Sequence, residues 1–196
     1  QLCHNDRFVR EGRWLKEAPG LSVQVSGKRL GIFGMGNIGR AIAQRAAGFN
    51  MRIQYASRTQ DSSLPYRYFP DLLALARESD FFIIAISGGK DSADLVDKAV
   101  FDALPSHALV INIARGSIVN EPDLISALQS GAIAGAGLDV YAHEPEVPAE
   151  LIAMENVVLQ PHIASATQET RQKMSDIVFT NVEAFFNRAP LPHAIE

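Results

Sequence analysis

Cysteine occurs once in the 196 residues, as Cys3, so no disulfide can form within the chain. Such scarcity fits a reducing compartment, the cytoplasm. No apolar run is long enough to cross a bilayer. The longest, Phe81-Phe82-Ile83-Ile84-Ala85-Ile86, falls far short of the roughly 20 residues a spanning helix needs. Charge of one sign is lacking as well: 18 Lys and Arg stand against 22 Asp and Glu, leaving −4. That balance excludes the electrostatic footprint of a nucleic-acid or anionic-membrane binder. There is no internal repeat, low-complexity tract or charge block, and no cluster pointing to a metal. The first residue is Gln, with no signal-peptide zones behind it, and the chain reads as a piece of a longer protein. What is present is 47% hydrophobic and 20% charged, enough apolar mass for one large domain or one domain with an appendage.

Residues Asn5 to Ser26 are polar and mixed, anchored by Phe8, Val9 and Trp14, and read as a short helix and connector. From Arg29 apolar runs alternate with helical patterns, the signature of βαβ units and a parallel sheet. Strands are expected at Leu30 to Phe33, Met51 to Tyr55, Phe81 to Ile86, Ala108 to Ile113, Ile133 to Val140 and Val157 to Leu159. Helices are expected after Ile38, stopping at Gly48, then over Asp71 to Arg77 and Ala93 to Leu104. A further one is capped by Asn120 and ended by Gly131. The last, Thr167 to Phe186, places Met174, Ile177, Val178, Phe185 and Phe186 on one apolar stripe. The fold class is α/β, a Rossmann-type doubly wound parallel sheet.

Gly34-Met35-Gly36-Asn37-Ile38-Gly39 is a complete G-x-G-x-x-G between an expected strand and an expected helix. Its first glycine makes a tight turn, its second admits a pyrophosphate, and its third lets helix and strand pack closely. The helix start behind it offers free N–H groups and a positive dipole end. An NAD site would want a carboxylate about 20 residues on, but the second strand ends Tyr55-Ala56-Ser57-Arg58-Thr59. An arginine between two hydroxyl residues suits the 2′-phosphate of NADP instead. A solvated Ser-Arg-Thr turn and an NAD-linked site stay open as alternatives.

Arg115, Glu144 and His162 each fall just after an expected strand, the end where open α/β sheets bind ligands. Taken singly, each residue is as readily a solvated or satisfied side chain as a catalyst. Their shared placement beside the nucleotide loop is what marks them.

Five strings stand in order: Gly34 to Gly39, Val110-Ile111-Asn112-Ile113-Ala114-Arg115-Gly116, Gly137-Leu138-Asp139-Val140, His143-Glu144-Pro145 and Gln160-Pro161-His162-Ile163-Ala164-Ser165-Ala166-Thr167. With Arg10-Glu11-Gly12-Arg13-Trp14, similar to an R-x-G-x-W motif, the chain resembles the nucleotide-binding domain of the D-isomer-specific 2-hydroxyacid dehydrogenases. Ser57-Arg58-Thr59 is similar to the NADPH-preferring glyoxylate/hydroxypyruvate reductase branch. The resemblance implies His162 as general acid, Glu144 holding its other ring nitrogen and fixing the tautomer, and Arg115 binding the substrate carboxylate. It implies cofactor contacts at Gly34, Met35, Gly36, Asn37, Ile38, Gly39, Ser57, Arg58, Thr59, Ser87, Ile113, Ala114, Arg115, Asp139, His162 and Ala164, with Asp139 orienting the nicotinamide amide. A bland alternative for Asp139 is a capping or turn role after its strand.

Two departures stand out. Ser87-Gly88-Gly89-Lys90 replaces a Pro-Leu-Thr loop common in relatives, and Ala164 stands where many have Gly. On this reading residues 1–26 connect to a substrate domain absent from the chain, 27–188 bind the cofactor, and 189–196 form a tail. The implied partners are a small 2-oxo or 2-hydroxy acid and a second copy in a homodimer. A non-catalytic dinucleotide-sensing module is the competing function.

Overall fold

Seven segments of a computed structural model, which describes residues 2–194, meet as one wholly parallel sheet. They are β1 (Arg29–Phe33), β2 (Arg52–Ala56), β3 (Arg67–Phe69), β4 (Phe81–Ile84), β5 (Leu109–Asn112), β6 (Gly135–Leu138) and β7 (Val157–Leu159). Their order across the sheet is β3-β2-β1-β4-β5-β6-β7. The direction of travel reverses between β1 and β4, which makes that gap the switch point where ligands bind in such folds. The helices are α1 (Leu2–Arg10), α2 (Asn37–Ala47), α3 (Leu72–Arg77), α4 (Lys98–Ala103), α5 (Glu121–Gln129), α6 (Ala149–Ala153) and α7 (Gln168–Phe186). Gln1 of the expected connector, and residues 195–196 of the expected tail, lie outside the described residues.

Both faces of the sheet are covered, which explains the unbroken apolar run of β4. Phe82 and Ile84 are fully buried in a core with Leu75, Val100, Phe101, Val110 and Leu124. Phe81 and Ile83 face the other way, into a smaller core of Leu30, Ile32, Ala43, Ala46 and Tyr55. Helix starts follow side-chain capping. Asp71 accepts from the N–H groups of Leu73 and Ala74, and Asn120 accepts from that of Asp123, with Pro122 in the first turn of α5.

Two elements escape the sequence reading, β3 and α6, and several expected elements are shorter than read, β4 and β5 by two residues each and two others by four or more. The expected helix over Ala93 to Leu104 begins only at Lys98, because Asp97 caps it through Ala99 and Val100. Before that cap the chain is extended enough for Val96 to bridge Val119. The strand expected over Ile133 to Val140 is confined to β6.

The described chain divides into two compact units with the break after His162, inside the stretch 27–188. The first holds the sheet and α1 to α6. The second holds α7, capped by Thr167 through the Thr170 N–H at 3.1 Å. None of its residues is buried, and Met174, Val178, Phe185 and Phe186 are more than half exposed. The expected stripe is there as a pattern, without a buried core behind it. No helix among the described residues is long and apolar enough to cross a membrane.

At the amino end of the sheet Asp80 ties three strands. It accepts from the Arg29 backbone N–H at 2.8 Å and from Arg29 Nη2 at 2.8 Å, and lies 2.9 Å from His107 Nε2. The Arg29 side-chain hydrogen bond, ahead of the other contacts and against the effect of burial, holds the Asp80 carboxyl far below its ordinary range. A depressed carboxylate contributes its stability above the unfolded value, near 3.9, and loses it as pH falls toward the folded value. Asp80→Asn is therefore expected to cost about 1.5–3 kcal/mol at neutral pH, a gap that narrows progressively below about pH 4. Urea unfolding of both proteins along a pH series checks this. A gap absent at neutral pH, or widening in acid, contradicts it.

Candidate active site

The loop after β1 is shaped by what its glycines leave out. Gly34 has φ +106, and a side chain there would come within 2.7 Å of the Ala85 and Ile86 backbone. Gly36 borders open space, and Gly39 lies so close beneath the Gly34 carbonyl oxygen that a Cβ would overlap it. One glycine turns the chain, one leaves room for a ligand, and one brings α2 against β1. Met35 between them is buried, while Asn37 and Ile38 are exposed at the start of α2. A cleft of about 660 Å³ opens here, lined among others by Gly36, Asn37, Ile38, Ser87, Ile113, Ala114 and Arg115. The open rim at Gly36 and the exposed start of α2 fit the pyrophosphate of a dinucleotide.

Beyond β2, two phenols hold the next loop at both ends. Tyr68 Oη donates to the Ser57 carbonyl at 3.2 Å, and Tyr55 Oη accepts from the Asp61 N–H at 3.0 Å. Ser57 Oγ donates to the Thr59 carbonyl at 2.7 Å. Among the described residues the Arg58 side chain has no hydrogen-bond or ion-pair partner, so its charge is uncommitted. The nearest acid along the chain, Asp61, is engaged by Arg40 and Ser63. Hydrogen bonds from Ser63 and then Arg40 hold its carboxyl down at about 2. Sequence reading passed over Asp61 because it lies five residues past the end of β2; its ties to Arg40 and Ser63 are three-dimensional facts.

Arg115 stands on a turn fixed by the buried Asn112 at the end of β5. Asn112 Oδ1 accepts from the Ala114 N–H and its Nδ2 donates to the Arg115 carbonyl, both at 3.0 Å. Arg115 Nη1 donates to the Ala114 carbonyl at 2.6 Å. Asp139, at the end of β6, is buried and its N–H donates to the Asn112 carbonyl at 3.0 Å.

Glu144 and His162 meet directly, Oε2 to Nδ1 at 2.7 Å. The other carboxylate oxygen accepts from the Tyr141 N–H at 3.1 Å. The His162 hydrogen bond first, then the Tyr141 N–H and the charges of His162 and Arg115, hold Glu144 below its ordinary carboxyl value, against slight burial. Arg115 is thus near enough to act on Glu144 electrostatically. His162 itself has φ +50, a conformation unusual for a residue with a side chain and enriched at functional sites. Its Nε2 has no partner among the described residues. The pair lines a second cavity of about 300 Å³ with Tyr141, Pro145, Leu159 and Pro161.

Tyr141 is the residue that sequence reading missed. Besides its N–H on Glu144, its buried phenol donates to the Gln160 carbonyl at 3.0 Å, two residues before His162. One residue thereby braces both members of the pair, Glu144 through its backbone N–H and the approach to His162 through its side chain. Of the expected residues, the cleft gathers Gly36, Asn37, Ile38, Ser87, Ile113, Ala114 and Arg115, and the neighbouring cavity gathers Glu144 and His162, while Gly34, Met35 and Gly39 shape the loop without lining either. Ser57, Arg58, Thr59 and Asp139 line neither, and Ala164 falls in the second compact unit. No group of three or more His, Cys, Asp or Glu among the described residues is set to hold a metal ion.

A parallel sheet with a glycine-lined cleft at its switch point, and a carboxylate–imidazole pair beside it, defines a dinucleotide-binding domain of dehydrogenase type. The chain belongs to the D-isomer specific 2-hydroxyacid dehydrogenase family, whose NAD binding domain it matches over residues 1–164. It is 46% identical over 187 residues to glyoxylate/hydroxypyruvate reductase A HPR2 of Arabidopsis thaliana, covering 95% of this chain and 60% of that protein. It is 43% identical over 185 residues to 2-ketogluconate reductase of Gluconobacter oxydans, covering 94% and 60%. Among solved structures it resembles the NADPH-dependent glyoxylate/hydroxypyruvate reductase of Sinorhizobium meliloti in complex with NADP and malonate. There the TM-score is 0.94 and the identity 39%, covering 99% of this chain and 61% of that one. The chain spans about three fifths of the length of these relatives.

Proposed function

We propose that this chain is the cofactor-binding and acid–base half of an NADP(H)-dependent reductase of small 2-oxo acids, glyoxylate and hydroxypyruvate among them. The observation that carries the reading is the 2.7 Å Glu144–His162 pair beside the glycine-lined cleft. A sensor of dinucleotides needs the cleft alone and has no use for a braced imidazole. Residues 27–188 are the cofactor domain on this reading, 1–26 the connector and 189–196 the tail. A substrate domain of the family's kind completes the site, so the isolated chain turns over poorly. The protein acts in the cytoplasm as a homodimer, without nucleic-acid or membrane partners.

Gly34 to Gly39 and the start of α2 would hold the pyrophosphate, Arg58 with Ser57 and Thr59 the 2′-phosphate, and Ser87, Ile113, Ala114 and Ala164 the remaining cofactor surface. Asp139 would orient the nicotinamide amide. The chemistry supplied by the bound cofactor is hydride transfer to the 2-oxo carbon. His162 gives a proton from Nε2 to the carbonyl oxygen, while Glu144 on Nδ1 keeps the ring oriented and balances its charge. Arg115 presents a planar fork of donors to the substrate carboxylate.

Consumption of NADPH by the full-length protein with glyoxylate and hydroxypyruvate tests the activity; no turnover with any small 2-oxo acid would sink it. The cofactor assignment has its own test. Arg58→Ala is expected to weaken NADPH binding about 10- to 100-fold, the loss of a charge-assisted hydrogen bond, and to leave NADH affinity unchanged. Equal loss for both cofactors in a binding titration contradicts the 2′-phosphate role.

A further inference from the structure

The loop after β4 carries two adjacent glycines whose surroundings differ. A Cβ added to Gly89 meets nothing within 4 Å, whereas one on Gly88 would lie 2.6 Å from Arg115 Cγ and 3.2 Å from Arg115 Cβ. Gly88 lies outside the left-handed region, so its backbone conformation would accept any residue. What excludes a side chain there is the stem of Arg115.

Relief cannot come from the far end of a flexible chain, because Cγ is only the second carbon of the stem. The Arg115 backbone is held as well, since Asn112 bonds both its carbonyl and the Ala114 N–H at 3.0 Å. The side chain must therefore turn about χ1, whose staggered wells lie about 120° apart. Every atom beyond Cγ moves with it, and the guanidinium, at the end of the lever, moves furthest.

We propose that Gly88 is a positioning residue: its bare Cα is the seat across which the Arg115 stem lies, and it sets where the guanidinium meets a substrate carboxylate. This rests on the role proposed above for Arg115.

A double-mutant cycle tests the proposal in the full-length protein, using Gly88→Ala, Arg115→Ala and the two together, with glyoxylate and NADPH. Gly88→Ala is expected to lower kcat/KM about tenfold or more, chiefly by raising KM for the 2-oxo acid, because a misplacement near 1 Å already costs about 10²-fold. NADPH affinity should stay within about twofold. In the Arg115→Ala background Gly88→Ala should cost far less, since the Cγ it strikes is gone and only the looser approach to Cβ is left. An equal loss in both backgrounds overturns the proposal. A second readout needs no turnover: in the present chain, Gly88→Ala should move the Arg115 Nε–Hε resonance while the β4 and β5 amides hold. An unmoved resonance also overturns it. A moved resonance in a protein that reduces no 2-oxo acid supports the seat for Arg115 and refutes the reductase reading instead.

Discussion

His162→Ala is expected to lower kcat for 2-oxo acid reduction about 10²- to 10⁴-fold in the full-length protein, the range for removal of a positioned general acid. It should leave the NADPH dissociation constant within about twofold, because in the proposed mechanism the residue acts on the reacting oxygen and contributes little to holding the cofactor. The site is built for this. Nδ1 is taken by Glu144 at 2.7 Å, Glu144 is held by the Tyr141 N–H, and Nε2 is left over. The φ of +50 at His162 adds a complication, since alanine is disfavoured there. His162→Asn tolerates that backbone better and still cannot protonate the oxygen, so both variants should lose activity alike. Survival of turnover in either one removes His162 from the mechanism.

Gly39→Ala is expected to be the most damaging single methyl that can be added to the glycine loop. The new Cβ overlaps the Gly34 carbonyl oxygen, which is backbone on a strand end and cannot swing aside. Overpacking of this kind costs about 1–3 kcal/mol, a fall in Tm of roughly 2–12 °C for a chain of this size. Parting α2 from β1 also widens the loop, so NADPH binding should fall well beyond what the lower stability explains. Thermal unfolding with and without NADPH reads both effects. A wild-type Tm with wild-type cofactor stabilisation contradicts the packing described here.

The parallel sheet was legible because its signals are local. The continuous run at Phe81 to Ile86 announces a strand covered on both faces, and Asn120 announces a helix start through its cap, while Asp71 and Thr167, read as first helical residues, turn out to be the caps of theirs. The elements that escaped are short and rest on distant partners. β3 is three residues paired to β2, and α6 is five residues with no side-chain cap. The Ala93 to Leu104 reading overran because helical propensity in Ala93 to Val96 yields to the bridge between Val96 and Val119. At the site, residue types and their places after strands were readable, and so was the missing acid after β2. The brace by Tyr141, the seating of Arg115 on Gly88 and the engagement of Asp61 by Arg40 were not. Each joins residues from separate elements, and no spacing along the chain encodes such a contact.

On the proposed reading this chain is an intact cofactor half whose preference is set by the uncommitted Arg58. Calorimetric titration of the chain with NADPH and with NADH, at one salt concentration, tests it most directly. The account predicts binding of both and distinctly tighter binding of NADPH; NADH binding as tight or tighter, or no binding of either, contradicts it.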